Sequence, residues 1–251
     1  MTSKQSVVQQ ALLALLIMVT NSTGAEEATV TFSSGERQVT LLELYTSEGC
    51  SSCPPADTWL GELVDDPDLW REVVPVAFHV DYWNYLGWKD QLSKAEYGER
   101  QRHYKYQGAS NSVYTPGFMV NGREWRGWFS ARELPGQGTQ SPGVLSGQLV
   151  GNELCIRFEP ATTTNASHTL EVAVLGFDIT NRIGRGENRG RSLTHQFAVL
   201  EHARLQSEDN HWCQALETTG WPAKKLGVAA WVTRPDSAAP IQATGAWIPE
   251  R

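Results

Sequence analysis

The sequence predicts an α/β domain followed by a small antiparallel β-sandwich. In the first half, two compact apolar segments, 38–45 and 73–80, have the length and residue types of buried strands, and a predicted helix follows each of them. In the second half, short strand-like segments alternate with polar turns, and no convincing helical period appears. Alternating strands and helices are typical of an α/β sheet, whereas a series of strands is typical of an antiparallel fold.

The first domain is expected to span residues 26–133. Its Asn121-Gly122 dipeptide is typical of a two-residue hairpin turn, so the domain ends in an antiparallel hairpin. In chain order, the predicted elements are a strand at 28–32, a strand at 38–45, a helix at 56–64, a strand at 73–80, an aromatic loop at 81–90, a helix at 93–107, a short strand at 117–120 and its partner at 123–128.

A segment rich in Gly, Pro, Ser and Gln at 134–147 predicts the linker between the two domains. The second domain then spans residues 148–251. Its predicted strands are at 153–158, 169–179, 193–205, 226–233 and 242–248.

Residues 1–25 are typical of a secretory signal peptide. Lys4 supplies a positive charge, residues 11–20 form an apolar run, and the small residues Thr23 and Ala25 fit a cleavage site after Ala25. An uncleaved membrane anchor is the alternative, although an apolar run of about ten residues is short for a bilayer span. We therefore expect a periplasmic or secreted protein with no stable membrane insertion after cleavage.

The composition argues against two classes of partner. The chain has 251 residues, 40% of them hydrophobic and 20% charged, which is typical of a globular protein. Its formal net charge is −7, and no block of five or more basic residues occurs. Binding to nucleic acid or to an anionic membrane surface is therefore not expected.

The pair Cys50-Ser51-Ser52-Cys53 can be a redox couple, half of a zinc site or a structural bridge. Zinc normally needs a second ligand pair, and the sequence has neither a second C-x-x-C nor two histidines three to five residues apart. The pair follows a predicted buried strand and opens a predicted helix, whose dipole lowers the pKa of a thiol at its start. This context favours a redox couple in which an exposed Cys50 attacks and Cys53 resolves the mixed disulfide.

A second motif fits the same fold. Thioredoxin-like folds place a cis-proline loop opposite the cysteines, just before a strand that begins a hairpin. Thr115-Pro116 stands immediately before the predicted strand at 117–120. By this resemblance we predict a cis Thr115–Pro116 bond, with the backbone of Thr115 pairing with a bound cysteine-bearing chain, and we predict that the first domain is thioredoxin-like.

Several motifs resemble the domain-of-unknown-function 1223 family of exported bacterial proteins. They are ELYTSEGCSSCPPAD at 43–57, FHVDYWNYLGWKD at 78–90, YTPGFMVNG at 114–122 and GENRGRSLTH at 186–195. The resemblance implies a thioredoxin-like domain, the C-x-x-C pair and the proline loop, and it implies no known substrate. Within these motifs, Tyr45 and Glu48 are expected to be tolerant positions.

Two polar residues on the predicted strands carry alternative interpretations. Glu43 could move protons to and from Cys53, or it could be outward-facing or salt-bridged. His79 lies in an apolar run, where a histidine is usually a satisfied core residue. However, Cys50, Cys53 and His79 together would be a soft ligand set that suits copper(I).

An aromatic and polar cluster follows the second predicted strand, with Asp81, Tyr82, Trp83 and Trp88 as its main members. Ligands bind at the carboxyl ends of strands in open α/β sheets, so this cluster could line a substrate groove. The alternative is an aromatic plug that holds the helix at 93–107 in place.

The remaining cysteines, Cys155 and Cys213, both lie in the second domain. We expect a structural disulfide between them, with buried free thiols as the alternative.

The sequence therefore favours an exported thiol–disulfide oxidoreductase with no cofactor, acting on a cysteine-containing protein or a small thiol. A copper(I)-binding protein and a non-catalytic binding module are the alternatives. The physiological substrate and the direction of electron flow are not determined by the sequence.

Overall fold

The computed structural model describes residues 28–130, 134, 139–162 and 167–249. The predicted signal peptide lies outside these residues. Within the described part of the chain, no helix is long and apolar enough to cross a bilayer.

The described residues form two helices and fourteen strands. The helices are α1 (Pro54–Gly61) and α2 (Ala95–Tyr106). The strands are β1 (Thr29–Ser33), β2 (Thr40–Thr46), β3 (Val73–His79), β4 (Gly117–Val120), β5 (Arg123–Trp125), β6 (Gly143–Val150), β7 (Glu153–Pro160), β8 (His168–Phe177), β9 (Ile179–Arg182), β10 (Ser192–His195), β11 (Ala198–Ser207), β12 (His211–Ala215), β13 (Lys225–Thr233) and β14 (Pro240–Ile248). Short 3-10 helices lie at Glu62–Asp65, Asn84–Leu86 and Gly127–Phe129.

The main sheet has eight strands in the order β14-β13-β8-β11-β3-β2-β4-β5. Its strands β2 and β3 are parallel and fully buried, because α1 and α2 cover opposite faces of this part of the sheet. Trp59 of α1 packs edge-on against Phe118, whereas Tyr104 of α2 packs against Tyr45. Leu44 is paired with Phe118, so these two side chains share the face of the sheet that α1 covers. Tyr45, the next residue in the strand, projects from the opposite face, which α2 covers. The continuous apolar character of β2 and β3 follows from this double burial.

A smaller sheet, in the order β1-β6-β7-β12, packs face to face on the main sheet. The core between the two sheets includes Leu145, Ile156 and Trp212 from the smaller sheet and Val172 and Val228 from the main sheet. Along the strands of the smaller sheet, buried and accessible residues alternate, as expected for a sheet with one face in the core.

The expected division at 134–147 does not describe this topology. The strand β6 begins at Gly143, so the last residues of the predicted linker are already in a strand. Four strands from the second half of the chain also extend the same sheet as β2 and β3. β11 supplies the backbone partner that the edge of β3 would otherwise lack, with the Ala77 N–H donating to the Phe197 carbonyl at 2.8 Å.

Two long predicted strands in the second half are each divided in the structure. The predicted strand at 169–179 becomes β8 and β9, separated by Asp178 at φ 54°, and the one at 193–205 becomes β10 and β11, separated at Phe197 with φ 56°. A residue in the left-handed region cannot continue a strand, so the chain turns at each point. The β9–β10 hairpin that results carries residues of the site described below.

Candidate functional site

Cys50 and Cys53 form a disulfide with a Cα–Cα distance of 5.4 Å, in the turn between β2 and α1. The Cys50 N–H donates to the Ser47 carbonyl and the Cys53 N–H to the Cys50 carbonyl, so the pair lies in consecutive tight turns. Cys53 occupies the position just before the first residue of α1. Both cysteines are 0% exposed, so the expectation of an exposed Cys50 is wrong for this conformation.

The start of α1 offers few free N–H groups to the cysteines. Pro54 and Pro55 occupy its first turn and have no N–H, and the N–H groups of Ala56 and Asp57 donate to the Cys53 carbonyl. The nearest polar partner of the Cys50 sulfur is instead the Ser52 hydroxyl, at 3.3 Å. The helix can therefore act on the sulfurs through its dipole, and Ser52 supplies the direct hydrogen bond.

Residues 183–191, between β9 and β10, cover the cysteine loop, and we call them the strap. Asn188 is buried, and its side-chain amide donates to the carbonyls of Glu48 and Cys50, each at 2.8 Å. Glu187 accepts the Ser51 N–H at 3.0 Å, and Arg191 donates to the Asn188 side-chain oxygen at 2.9 Å. These bonds close the strap over the disulfide, which agrees with the burial of both cysteines.

Glu48 is fully buried and binds three side chains. It accepts hydrogen bonds from Trp88 Nε1 and Asn181 Nδ2, each at 2.7 Å, and its Oε1 lies 3.0 Å from His195 Nε2. The expectation that Glu48 is a tolerant position is therefore wrong. A shorter or apolar side chain would leave these buried donors without an acceptor.

His79 and Asp90 form a second buried pair next to Glu48. The His79 Nδ1 atom lies 2.8 Å from Asp90 Oδ2, and Asp90 also accepts the N–H groups of Glu48 and Leu92. Burial alone would lower the pKa of His79, but the Asp90 carboxylate raises it to about 9. Burial alone would raise the pKa of Asp90, but the His79 charge and these hydrogen bonds lower it. His79 is therefore protonated at neutral pH.

Asp57, on the first turn of α1, has a raised pKa. Burial raises it, and the nearby charges of His195 and His79 oppose that rise. The rings of these two histidines meet edge to face at 4.7 Å. Asp57, His79 and His195 thus form one polar cluster, which lies next to Cys53 because the Asp57 N–H donates to the Cys53 carbonyl at 3.0 Å.

The predicted groove residues are mostly engaged in packing around the site. Trp83 Nε1 donates to the Thr115 hydroxyl at 2.7 Å, and Trp88 binds Glu48. Tyr82 donates to Gln101 of α2, and the Asp81 carbonyl accepts the N–H of Asn84 in a turn. Tyr82 therefore contacts α2 and Trp83 contacts the proline loop, while all four predicted groove residues stay partly exposed.

Gly49 explains why Trp83 and the cysteine loop fit together. A Cβ atom at this position would lie 2.9 Å from the Trp83 Cβ, closer than side chains tolerate. The glycine therefore lets Trp83 link the cysteine loop to the proline loop.

The Thr115–Pro116 bond is cis, as the resemblance implied. Pro116 is buried and Thr115 is partly exposed. Within the described residues, the N–H and carbonyl of Thr115 make no hydrogen bond, so this short backbone segment is free to pair with another chain.

Glu43 is fully buried in an ion pair on the α2 side of the sheet. Arg100 donates to both of its carboxylate oxygens, at 3.0 and 3.1 Å, and Tyr45 and Tyr104 donate to it as well. Arg100 also pairs with Glu171 of β8. These contacts agree with the salt-bridged alternative for Glu43, because its oxygens are already engaged.

The structure contains the predicted Cys155–Cys213 disulfide, but it does not bring together the three predicted copper ligands. Cys155 and Cys213 are joined by a disulfide with a Cα–Cα distance of 4.1 Å. Among the described residues, the group of Cys, His and acidic side chains close enough to hold a metal is Cys155, His211 and Cys213. His79 is not brought into such a group with Cys50 and Cys53, so the copper alternative loses its third ligand.

Sequence reasoning missed Asp57, Asn188, His195 and the role of Glu48. All four of these residues lie in the motifs at 43–57 and 186–195: Glu48 and Asp57 belong to the earlier one, and Asn188 and His195 to the later one. The later motif is polar and had no function assigned to it. That could have indicated a contact between this motif and the C-x-x-C pair.

One family model and two solved structures are similar to this chain. The family model described as "Protein of unknown function (DUF1223)" matches residues 41–233. A protein of Agrobacterium tumefaciens, solved by X-ray crystallography as a structural-genomics target, is 27% identical with a TM-score of 0.63, covering 85% of this chain and 96% of that chain. HBP35 of Porphyromonas gingivalis shares the fold at 17% identity and a TM-score of 0.54, covering 84% of this chain and 75% of that chain. No curated protein matches the chain. This match confirms the family resemblance that the sequence motifs indicated. Because it spans well over half of the chain, the protein belongs to the DUF1223 family.

Proposed function

We propose that the protein is an exported thiol–disulfide oxidoreductase with a thioredoxin-like arrangement of β2–β5, α1 and α2. The observation that carries the proposal is a disulfide between cysteines one turn apart at the start of α1. A cis-proline loop is tied to that turn through Trp83, and its Thr115 backbone is free to bind a partner. Both features are what an exchange reaction with a cysteine-bearing chain requires.

The reaction begins from the dithiol form when the partner is oxidised. The Cys50 thiolate attacks one sulfur of the partner disulfide, forms a mixed disulfide and releases the other partner sulfur as a thiolate. Cys53 then attacks Cys50, which forms the Cys50–Cys53 bond and releases the second partner sulfur. Two electrons pass to the partner, and the reverse sequence oxidises a partner dithiol.

Two side chains assist these steps. The Ser52 hydroxyl, 3.3 Å from the Cys50 sulfur, stabilises the attacking thiolate by donating a hydrogen bond. Asp57 accepts the Cys53 proton when that thiol attacks, because burial raises the pKa of its carboxyl and makes it a stronger base than an ordinary aspartate. Near Asp57, the positive charge of protonated His79 is paired with the negative charge of Asp90.

The strap controls access to the disulfide. Because Cys50 is fully buried beneath residues 183–191, a partner sulfur reaches it only after the hydrogen bonds of Asn188 and Glu187 to the cysteine loop break. The backbone of Thr115 then pairs with the partner chain beside its cysteine.

Export is part of the proposal. The pattern at 1–25 and two disulfides in the described residues both suit an oxidising compartment, the periplasm or the cell exterior. In such a compartment the Cys50–Cys53 pair can cycle with other disulfide proteins.

A glutathione redox titration of the Cys50–Cys53 pair tests the proposal, with the fraction oxidised read from alkylated peptides. We expect a midpoint within the range of exchange catalysts, and a Cys50→Ser variant should lose activity in insulin reduction and thiol oxidation. A midpoint far below about −300 mV would indicate a structural bridge instead. Full activity in Cys50→Ser would reject the assigned attacker.

A further inference from the structure

A second pair of cysteines with a histidine lies on the smaller sheet. The strands β7 and β12 are antiparallel neighbours, and Cys155 is directly opposite Cys213. His211 lies two residues before Cys213, so it projects from the same face of β12. The His211 Nε2 atom is 3.7 Å from the Cys213 sulfur, and the three ligand atoms lie within 4.8 Å of one another.

These side chains lie on the solvent side of the sheet. The alternate residues Leu154 and Trp212 are buried in the core between the sheets, whereas Cys213 and His211 are exposed and Cys155 is half-buried. Cys155 and His211 also line a shallow groove of about 670 Å³. Reductants and metal ions can therefore reach this disulfide directly, unlike the one beneath the strap.

The bridge is not what holds β12 in the sheet. The strand pairs with β7 along its whole length, and Trp212 and Leu216 anchor it in the core at 4% and 3% exposure. Reduction therefore leaves the Cys155 and Cys213 sulfurs opposite each other on a folded sheet.

We propose that Cys155, Cys213 and His211 form a copper(I) site when their disulfide is reduced. An external dithiol supplies two electrons and two protons, so its own sulfurs become a disulfide and the protein sulfurs become thiols. Copper(I) then displaces the two thiol protons and is held by two thiolates and one neutral imidazole.

The ligand set favours copper(I) over zinc. Thiolate and imidazole are soft donors, whereas structural zinc takes four protein ligands, and the described residues bring three together here. The resulting site carries one net negative charge. Arg157, directly opposite His211 in the register and on the same face, offsets that charge.

The test uses the full chain with Cys50→Ser and Cys53→Ser, so that Cys155 and Cys213 are its thiols. The protein is reduced, separated from the reductant under anaerobic conditions, and titrated with the copper(I)–bicinchoninate complex. We expect transfer of one copper(I) per chain, loss of binding on adding Cys155→Ser, and at least about tenfold weaker binding with His211→Asn. His103→Asn, at an exposed histidine of α2, is the matched control and should bind like the parent. X-ray absorption should show two sulfurs and one nitrogen.

Three results would overturn the proposal: substoichiometric transfer, a His211→Asn variant that binds like its parent, or preference for zinc(II) in direct competition. The reduced wild-type chain gives an independent measurement should the serine background fail to fold. Its copper capacity must fall by one equivalent when Cys155 and Cys213 are both replaced by serine, and an unchanged capacity also rejects the site.

Discussion

Asn188→Ala tests whether the strap controls reduction of the buried disulfide. The Asn188 amide donates to two buried carbonyls, those of Glu48 and Cys50, each at 2.8 Å. A hydrogen bond contributes about 1 kcal/mol net, so the closed strap loses about 2 kcal/mol relative to an open one. At 1.4 kcal/mol per factor of ten, the open population rises by up to about 30-fold.

The assay follows reduction of the oxidised protein by excess dithiothreitol, with alkylation at timed intervals and peptide mass spectrometry. Cys50–Cys53 should be reduced up to about 30-fold faster in the variant, as the population change requires. Cys155–Cys213, which is accessible to solvent, should react at the wild-type rate and serves as an internal reference. Arg189→Ala, an exposed position in the same strap, is the matched control and should change neither rate.

An unchanged Cys50–Cys53 rate in Asn188→Ala would refute the reasoning, provided that the free energy of unfolding shows the lost hydrogen bonds. A parallel rise in both rates would indicate general unfolding rather than strap opening, and would refute it as well.

Three further predictions concern the buried charges. Arg100→Met removes the ion-pair partner of buried Glu43 and one of the partners of Glu171, which keeps His202 and Arg204. It should therefore lower the free energy of unfolding in urea by about 3–5 kcal/mol. The control Arg204→Met, at a half-exposed side chain that also pairs with Glu171, should cost below about 1 kcal/mol, and equal costs would contradict this prediction. The pKa of His79 is raised from 6.5 to about 9, so its contribution to stability is complete below pH 6.5 and is lost as pH rises through about 9. The free energy of unfolding should fall by about 3 kcal/mol over this range, and His79→Gln should abolish that fall. A wild-type protein whose stability does not fall over this range would reject the assignment. Asp57→Asn should slow thiol–disulfide exchange by the reduced protein about 100-fold at neutral pH and remove an inflection from the pH–rate profile of that reaction. An unaltered profile would exclude Asp57 as the base.

Short-range features of the site were predictable from the sequence. The apolar run at 38–45 indicated β2, and the Asn121-Gly122 pair indicated the hairpin of β4 and β5. Each of these signals depends on residues within a few positions of one another. The proline loop was recognised by resemblance, since a cis bond leaves little trace in composition.

The contacts around the disulfide were not predictable in this way. Asn188 reaches Glu48 across 140 residues of chain, and His195 reaches it across 147. No strand was predicted between 179 and 193, and the glycines and arginines of the strap show no period that relates it to the cysteines.

The sequence by itself determined the C-x-x-C pair, the strand and helix on either side of it, and the family. Backbone preference and hydrophobic period are local properties, so they can be read from a single chain. Only the tertiary structure decided that β11 lies beside β3, that the strap covers Cys50, and that Cys155, Cys213 and His211 share one face of a sheet. Those outcomes depend on which strand edges pair and which polar groups are buried together, and the free energy of such pairing belongs to residues far apart in the chain.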